Sequence, residues 1–217
     1  SGKSTALASM VDYINKTTSR HILTIEDPIE YIYPHNRAMI HQREVGKDVS
    51  DFATALRSAL REDPDIILVG EMRDFETIQA AITAAETGHL VLSTLHTTSA
   101  AQTVERIIDA CPIDGQAQIR SQFANVIRGI LTQQLVPLAD GNGRVVATEV
   151  LYANFAISNL IRENKAIQIP SMLQSGMREG MHTLNSDLYS LVRRQKITKE
   201  EAIKVSSTPT AVCCGSV

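Results

Sequence analysis

The chain has 217 residues, of which 43% are hydrophobic and 21% are charged, as is usual for a soluble globular protein with a substantial core. Its formal net charge of -3 shows no basic excess, which argues against a nucleic-acid partner. No apolar run approaches the roughly 18 residues of a membrane-spanning helix. The three cysteines, Cys111, Cys213 and Cys214, lack the spacing of a zinc site and fit a reducing compartment.

The first five residues, Ser1 to Thr5, match the end of a phosphate-binding loop. In the pattern G-x-x-x-x-G-K-[ST], backbone N–H groups surround the phosphates, the Lys reaches the β- and γ-phosphates, and the final hydroxyl ligates Mg²⁺. Gly2, Lys3 and Ser4 occupy its last three fixed positions, whereas its first glycine and an initiator Met are missing from the chain. We therefore expect a fragment of a longer protein that binds ATP and Mg²⁺ through residues 1–5. A Ser/Gly-rich start to a helix is the alternative.

Helices and strands are predicted to alternate through the first half of the chain, which is typical of an α/β fold with a parallel sheet. Apolar residues at helical spacing predict the helices, and short apolar runs predict buried strands. The predicted elements are a helix over 5–16, a strand over 21–25, irregular or hairpin-like structure over 31–49, a helix over 51–61 capped by Ser50, a strand over 66–69, a helix capped by Asp74 and ending near 87, and a strand over 90–95.

The second half is predicted to contain a hairpin followed by helices. A helix is expected over 117–134, and the turn signal at 140–143 lies between two short apolar runs. Leu184, Leu188, Leu191 and Val192 form one helical stripe, and Thr198 begins a capping box. We predict an ATPase core over 1–152, a small helical domain over 153–206 and a disordered tail over 207–217.

Three predicted strands each end in chemically capable residues. Glu26 and Glu30 follow the first strand, Glu71 follows the second, and His96 follows the third. Ligands of open α/β sheets bind outside the carboxyl ends of the strands, so we expect these side chains to meet Lys3 there. Taken singly, Glu26 also fits a solvated loop acid and His96 a hydrogen-bonded structural histidine, whereas Glu71 is a stronger signal because an acid directly after four aliphatic residues resembles the end of a Walker B strand. Together they predict an ATP site.

Roles for these residues follow from the needs of phosphoryl transfer. Ser4 and Glu71 are predicted to hold Mg²⁺, directly or through water, and Glu71, Glu26 and Glu30 to activate the attacking water. His96 is predicted to sense the γ-phosphate. Four arginines are candidates to bind phosphates in the same subunit or from a neighbouring one, with a solvated helix face as the alternative: Arg43, Arg57, Arg61 and Arg73.

Three strings of sequence resemble the secretion superfamily of traffic ATPases. Residues 24–31 (TIEDPIEY) resemble their aspartate box, and 60–74 resemble their atypical Walker B region. Residues 87–91 and 93–97, which include His89 and His96, resemble their histidine box. The match runs from Ser1 to about residue 203. The resemblance implies a RecA-like P-loop core, ATP bound between subunits of a hexamer, His89 among the nucleotide-binding residues, and a PAS-like N-terminal domain that is missing here.

Within that superfamily, the chain is most similar to the PilT-type retraction ATPases of type IV pili. Residues 156–163 (AISNLIRE) resemble a C-terminal family motif, with Ser158 in place of Arg, and 180–184 resemble the motif that follows. The resemblance implies a cytoplasmic protein at the inner face of the membrane, with an inner-membrane platform protein and other pilus motor ATPases as partners. Arg162 and Glu163 are the partner-facing candidates, although Ile157, Leu160 and Ile161 also fit a buried helix face.

Three functions remain open from the sequence. The first is a hexameric motor that couples ATP hydrolysis to pilus retraction. The second is an engine for pilus assembly or type II secretion, although relatives of that kind usually carry a four-cysteine zinc element that this chain lacks. The third is a nucleotide-binding scaffold subunit without hydrolysis, against which the retention of Glu26, Glu30, Glu71 and His96 counts. We expect the isolated chain to hydrolyse ATP weakly, because half of the phosphate loop is missing.

Overall fold

A computed structural model describes residues 2–206, so Ser1 and the predicted disordered tail over 207–217 lie outside the described residues. Three short 3₁₀ turns accompany the helices and strands, at Ile113–Gly115, Ala166–Gln168 and Gly176–Glu179. In chain order the elements are α1 (Lys3–Thr17), β1 (His21–Glu26), β2 (Met39–Glu44), α2 (Phe52–Ala59), β3 (Ile66–Val69), α3 (Phe75–Glu86), β4 (Leu90–Ser93), α4 (Ala100–Asp109), α5 (Gln116–Val126), β5 (Gly129–Pro137), β6 (Arg144–Tyr152), α6 (Phe155–Arg162), α7 (Ile169–Ser175), α8 (Leu184–Arg193) and α9 (Lys199–Val205).

The described residues form two compact units. The first contains 3–96 and 110–126, and the second contains Gly2, 97–109 and 127–206. The hairpin of β5 and β6 therefore belongs to the same unit as the C-terminal helices. The predicted domain boundary after residue 152 stays a prediction. None of the helices in the described part of the chain combines the length and apolar composition that a bilayer span requires.

A four-stranded parallel sheet organises the first unit, in the order β2-β1-β3-β4. Ile25 of β1 lies opposite Val69 of β3, which lies opposite Ser93 of β4. The residues that follow these strands consequently leave the sheet at the same edge. The predicted α/β fold with a parallel sheet is confirmed.

Apolar side chains cover both faces of this sheet. Leu23, Ile25, Ile67 and Val69 pack with Leu56 of α2 and with alanines of α3 on one face. Ile22, Ile40, Ile66 and Leu68 pack with Val11 of α1 on the other. Because all four residues of β3 are buried, this strand reads as a continuous apolar run rather than an alternating one. Helices on both faces of a parallel sheet give a doubly wound arrangement.

Residues 31–49 differ from the prediction, which was irregular or hairpin-like structure. They contain β2, which pairs in parallel with β1 rather than folding back on it, with His21 opposite Met39 and Glu26 opposite Glu44. As an edge strand, β2 buries only Ile40 fully and otherwise carries polar or exposed residues. Its sequence therefore lacks the apolar run that identified the three central strands.

Two helix limits were also predicted wrongly, and one helix was missed. The cap of α2 is Asp51, whose carboxylate accepts the N–H of Thr54, and not Ser50. The helix expected over 117–134 ends at Val126, and Gly129 begins β5. Helix α4 was not predicted. The Asp74 cap of α3 is confirmed, with its carboxylate 2.8 Å from the N–H of Thr77.

In the second unit, the antiparallel hairpin of β5 and β6 packs on α8 and α9. Val136 and Ala147 of the hairpin are fully buried with Leu188 of α8 and Ala202 of α9. The predicted hairpin and the predicted cap of α9 are confirmed, since the hydroxyl of Thr198 accepts the N–H of Glu201. Helix α4 begins where Glu149 of β6 accepts the N–H of Ala100 at 2.7 Å.

Candidate functional site

A cavity of about 240 Å³ lies at the carboxyl ends of the parallel strands. It contains most of the acids and cations that the sequence analysis singled out, together with aromatic and apolar side chains from the surrounding elements. Its lining is Lys3, Ser4, Leu7, Glu26, Asp27, Pro28, Glu30, Tyr31, Tyr33, Phe52, Leu68, Gly70, Glu71, Arg73, Thr94 and His96. The cavity therefore matches the position at which an open α/β sheet binds its ligand.

Lys3, the first residue of α1, extends its side chain towards the end of β4. Its ammonium donates to the carbonyl of Leu95 at 2.9 Å and lies 3.0 Å from Nδ1 of His96. Partial burial lowers the pKa of Lys3, and the negative charge of Glu71 opposes that effect. The ammonium is thus held inside the cavity by neutral acceptors, which an anionic ligand can replace.

Two hydrogen bonds join the start of α1 to the loop that follows β1. Ser4 Oγ donates to Glu30 Oε1 at 3.1 Å, and Thr5 Oγ1 lies 3.0 Å from the hydroxyl of Tyr31. The loop leaves β1 through a cis peptide bond between Asp27 and Pro28. The Ser4 hydroxyl and the Glu30 carboxylate consequently face the same part of the cavity.

Glu26 is the acid most deeply placed in the cavity, with only 8% of its surface exposed. Its Oε1 accepts the hydroxyl of Thr24 at 2.6 Å and the side-chain amide of Gln42 at 3.2 Å. Both donors are neutral, so no cation neutralises this carboxylate within the described residues. A buried carboxylate without a cationic partner attracts a cation.

Glu71 follows β3 and is hydrogen-bonded at both oxygens. Oε2 lies 2.6 Å from Arg73 and Oε1 lies 3.0 Å from Nε2 of His96. The hydrogen bond from Arg73 lowers the pKa of Glu71 against the opposing effect of partial burial, and the positive charges of Arg73 and Lys3 act in the same direction as the hydrogen bond. Glu71 is therefore held as a carboxylate by neighbours from three separate segments of the chain.

Gly70 sets the direction in which Glu71 leaves the sheet. A Cβ at this position would lie 3.3 Å from the carbonyl oxygen of Ile25 and 3.4 Å from Cα of Glu26, tighter than most real contacts. The Gly70 carbonyl accepts the hydroxyl of Thr94 at 2.6 Å, and its N–H donates to the carbonyl of Ile25 at 2.8 Å. The absence of a side chain at residue 70 thus lets the ends of β1 and β3 approach closely.

Within the described residues, the other predicted nucleotide-binding residues do not line this cavity. Arg43 pairs with Glu62 at 2.7 Å, and Arg57 and Arg61 lie exposed on and just after α2. His89 lies before β4, at the opposite edge of the sheet, where Nδ1 is 3.0 Å from the carbonyl of Ala84. Gly2 adopts a φ of +82°, which favours glycine, and Ser1 is outside the described residues. Roles for all six in nucleotide binding stay predictions.

The cavity offers the oxygen ligands that Mg²⁺ prefers, but few of them. No group of three or more His, Cys, Asp or Glu side chains is arranged to hold a metal within residues 2–206. The Ser4 hydroxyl and the Glu30 carboxylate form one oxygen pair, whereas both oxygens of Glu71 already have partners. This set suits Mg²⁺, which keeps several waters and binds through one or two protein oxygens plus phosphates.

Sequence reasoning missed the residues that support the acids. Gln42 is hydrogen-bonded to Tyr31 and Tyr33 in the loop between β1 and β2, and both Gln42 and Thr24 donate to Glu26. The role of Gln42 depends on the parallel pairing of β2 with β1, which the sequence did not reveal. The phenol of Tyr33 lines the cavity, and its pKa is raised to about 12, mainly by burial and then by the charge of Glu26.

Comparisons with known proteins identify the family of this chain. A model of the family described as type II/IV secretion system protein matches residues 1–203. A twitching motility protein of Neisseria gonorrhoeae is 55% identical over 202 residues, which cover 93% of this chain and 54% of the relative. The type IV pilus retraction ATPase PilT of Pseudomonas aeruginosa is 51% identical over 209 residues, which cover 96% and 60%.

Solved structures give the same result for the fold. A crystal structure of the pilus retraction motor PilT with bound ADP matches with a TM-score of 0.89 and 52% identity, over 97% of this chain and 59% of that one. The Legionella pneumophila ATPase DotB matches with a TM-score of 0.85 and 32% identity, over 94% and 56%. The predicted RecA-like ATPase fold is thereby confirmed. The chain spans between 54% and 60% of the length of these four proteins. It belongs to the family of type II/IV secretion system proteins.

Proposed function

We propose that this chain is the ATP-hydrolysing core of a motor that retracts type IV pili. The observation that carries the proposal is the meeting of Lys3, Ser4, Glu30, Glu71 and His96 around one cavity at the carboxyl edge of a parallel sheet. The two curated relatives reported above are named for twitching motility and for pilus retraction, which favours retraction over pilus assembly or type II secretion. ATP is the substrate that the proposed motor hydrolyses.

Phosphate binding in this proposal begins with an exchange at Lys3. The ammonium leaves the Leu95 carbonyl and His96 and contacts the β- and γ-phosphates, which are stronger acceptors because they are charged. Ser4 and Glu71 are the proposed ligands of Mg²⁺, with Glu71 acting through water because its oxygens are occupied. When bound, Mg²⁺ neutralises developing charge on the phosphates.

Activation of the attacking water falls to the acids around the cavity. Glu30 accepts the hydroxyl of Ser4. Glu26 is the more deeply buried acid of the cavity, and two neutral donors fix its Oε1. Glu71 is kept ionised by Arg73 and orients His96. We propose that Glu30 and Glu26 orient and deprotonate the water, while His96 responds to the γ-phosphate because it is the side chain that Lys3 releases.

The proposed assembly is a homo-hexamer at the inner face of the cytoplasmic membrane, acting on an inner-membrane platform protein and alongside other pilus motor ATPases. Arg57 and Arg61 are exposed and free to reach phosphates of a neighbouring subunit. On α6, Ile157 and Ile161 are buried, while Arg162 and Glu163 are exposed. The latter pair is the proposed contact with a partner. Residues 156–163 thus combine a buried helix face with an exposed C-terminal end.

A cellular experiment tests the direction of the motor. The Glu71→Gln substitution is introduced into the full-length gene, and surface pili and twitching are measured. Excess pili with lost twitching support retraction, whereas cells without pili indicate an assembly engine and refute it. The purified full-length protein is assayed in parallel for ATP binding and turnover. Binding of ATP without turnover by the unsubstituted protein would indicate the scaffold alternative.

A further inference from the structure

The side chain of Gln42 connects two chain segments, β1 and the loop that follows it, each of which carries one acid of the cavity. Its Nε2 donates to the carbonyl of Tyr31 at 2.8 Å and to Glu26 Oε1 at 3.2 Å, while its Oε1 accepts the N–H of Tyr33 at 3.1 Å. A side-chain amide that uses donor and acceptor at once has its orientation fixed by its partners. Gln42 is half-buried, so these bonds are partly shielded from water.

The position of Gln42 follows from the register of the edge strand. Gln42 lies opposite Thr24 in the parallel pair of β1 and β2, two residues before Glu26 along β1. Side chains of paired residues in a parallel sheet share a face, so Gln42, Thr24 and Glu26 point to the same side. This explains why Thr24 and Gln42 both donate to Oε1 of Glu26, at 2.6 and 3.2 Å.

On its other side, Gln42 replaces a missing backbone partner. Residues 29–35 form neither helix nor strand, so their N–H and C=O groups depend on other donors and acceptors. The Gln42 amide bonds the carbonyl of Tyr31 and the N–H of Tyr33, two residues apart, as a peptide group of a neighbouring strand does. It therefore holds this segment beside β2 without extending the sheet.

The segment held in this way carries Glu30 to the start of α1. Glu30 precedes Tyr31 directly and accepts the hydroxyl of Ser4 at 3.1 Å, and the Tyr31 hydroxyl lies 3.0 Å from Thr5 Oγ1. One amide thus connects the Glu26 carboxylate to the backbone that places Glu30. Movement of either acid relative to the other requires that the Gln42 bonds break.

We propose that Gln42 is a positioning residue for hydrolysis, which fixes the Glu26 carboxylate relative to the Glu30 segment. This inference rests on the proposed ATPase function. Gln42 does not reach the reacting atoms itself, since it does not line the cavity. It acts through Glu26, whose Oε1 it occupies, and through the backbone of Tyr31 and Tyr33.

Three variants of the full-length protein test the proposal. Gln42→Met keeps the length of the side chain and loses all three hydrogen bonds. Gln42→Glu keeps the acceptor for the Tyr33 N–H and loses the donors to Glu26 and Tyr31. Gln79→Met is the matched control, because Gln79 is exposed on α3 and lies outside the cavity.

In steady-state assays we expect kcat to fall by about tenfold or more in Gln42→Met and Gln42→Glu. A fall of this size is expected when catalytic groups are misplaced. We expect KM for ATP to stay within about twofold of the unsubstituted value, and the Gln79 control to behave like the unsubstituted protein. In a Glu26→Ala background, the fall caused by Gln42→Met should be several times smaller, because one of the two groups that Gln42 aligns is gone. A kcat unchanged by Gln42→Met, or an equal fall in the Glu26→Ala background, overturns the proposal.

Amide hydrogen exchange gives a readout that does not depend on turnover. The Tyr33 amide should exchange faster in Gln42→Met and stay protected in Gln42→Glu, which keeps its acceptor. If the unsubstituted protein shows no ATP hydrolysis, the proposed function fails. The exchange measurement then still tests whether Gln42 holds the backbone at Tyr33. If the protein hydrolyses ATP but the Tyr33 amide exchanges equally fast in Gln42→Met and Gln42→Glu, the proposed hydrogen-bond connection through Gln42 is refuted.

Discussion

The Lys3 ammonium lies 3.0 Å from Nδ1 of His96. An ammonium has no acceptor capacity, so Nδ1 is the acceptor in this pair and the ring proton is assigned to Nε2. Nε2 in turn lies 3.0 Å from Oε1 of Glu71, to which it donates. The orientation of His96 is therefore determined by Lys3 on one side and by Glu71, which follows β3, on the other.

This arrangement predicts different effects for two substitutions of His96. His96→Gln can still donate to Glu71, whereas His96→Asn can still accept from Lys3 but is too short to reach Glu71. We expect kcat to fall in both, by about tenfold in His96→Gln and further in His96→Asn, because the orientation of Glu71 matters more for turnover than the resting position of Lys3. Steady-state kinetics of the full-length protein measure the difference.

His35→Gln is the control for these two variants, because His35 is exposed and does not line the cavity. It should leave kcat unchanged. If His96→Asn retains more activity than His96→Gln, the contact with Lys3 is the important one, and the role assigned to the contact with Glu71 is refuted.

The Ser4–Glu30 pair predicts a separation of nucleotide binding from turnover. Glu30→Gln preserves an acceptor oxygen for the Ser4 hydroxyl but removes the negative charge and most of the basicity. We expect ATP affinity within about twofold of normal and kcat lower by roughly 10²–10⁴-fold, the usual contribution of a general base. Equilibrium binding and turnover are measured on the same preparation.

The matched control is Glu76→Gln, since Glu76 is exposed in the first turn of α3 and lies outside the cavity. Equal turnover in the Glu30 and Glu76 variants would eliminate Glu30 as the base and leave Glu26 and Glu71 as the candidates.

The meeting of these residues was predictable in outline from the sequence. Three apolar runs gave β1, β3 and β4, and the rule for ligands of parallel sheets placed Glu26, Glu71 and His96 at one edge. The individual pairs were not predictable, because each depends on a loop or a side-chain rotamer. Ser4 meets Glu30, for instance, only because the loop after β1 returns to the start of α1.

The misses have physical causes. β2 is an edge strand with the sequence MIHQRE. Its polar residues face solvent or the loop between β1 and β2, so the strand carries no apolar run. Gln42 was overlooked for the same reason, since its partners lie on β1 and on an irregular segment. The overlong helix at 117–134 arose because 129–134 also fits a helical pattern. Pairing with β6 decides its structure, and tertiary contacts of this kind override local preference.

Tyr33 predicts a loss of stability at alkaline pH. Its pKa is raised to about 12, chiefly by burial and further by the charges of Glu26, Tyr31 and Asp12. In the unfolded chain a tyrosine titrates near pH 10. Below about pH 10 the contribution of Tyr33 is fully present, and it falls between about pH 10 and 12, because only the unfolded state then releases the proton.

Urea denaturation across this pH range tests the prediction. Tyr33→Phe should show a smaller alkaline decline in the free energy of unfolding than the unsubstituted chain. Tyr13→Phe is the control, because Tyr13 is 69% exposed. An identical alkaline decline in the Tyr33 variant and the unsubstituted chain would show that burial of this phenol does not affect the pH dependence of folding.

In the second unit, Glu149 predicts a stability effect independent of nucleotide chemistry. Its carboxylate is buried, with 8% of the residue exposed, and accepts the N–H of Ala100 at the start of α4. Glu149→Ala leaves that buried N–H without its partner, which costs about 1–3 kcal/mol. Glu149→Gln keeps an acceptor oxygen and should cost less, although it loses the favourable interaction of a negative charge with the helix N-terminus.

The comparison is made by chemical denaturation, supported by hydrogen exchange of the α4 amides. Glu105→Gln is the control on the same helix, because Glu105 is exposed. The expected order of stability is the control first, then Glu149→Gln, then Glu149→Ala, with faster exchange of the first-turn amides in the alanine variant. Equal stability of the two Glu149 variants would mean that the acceptor oxygen does not matter. The buried carboxylate would then hold α4 through its negative charge, rather than through packing or the hydrogen bond to Ala100.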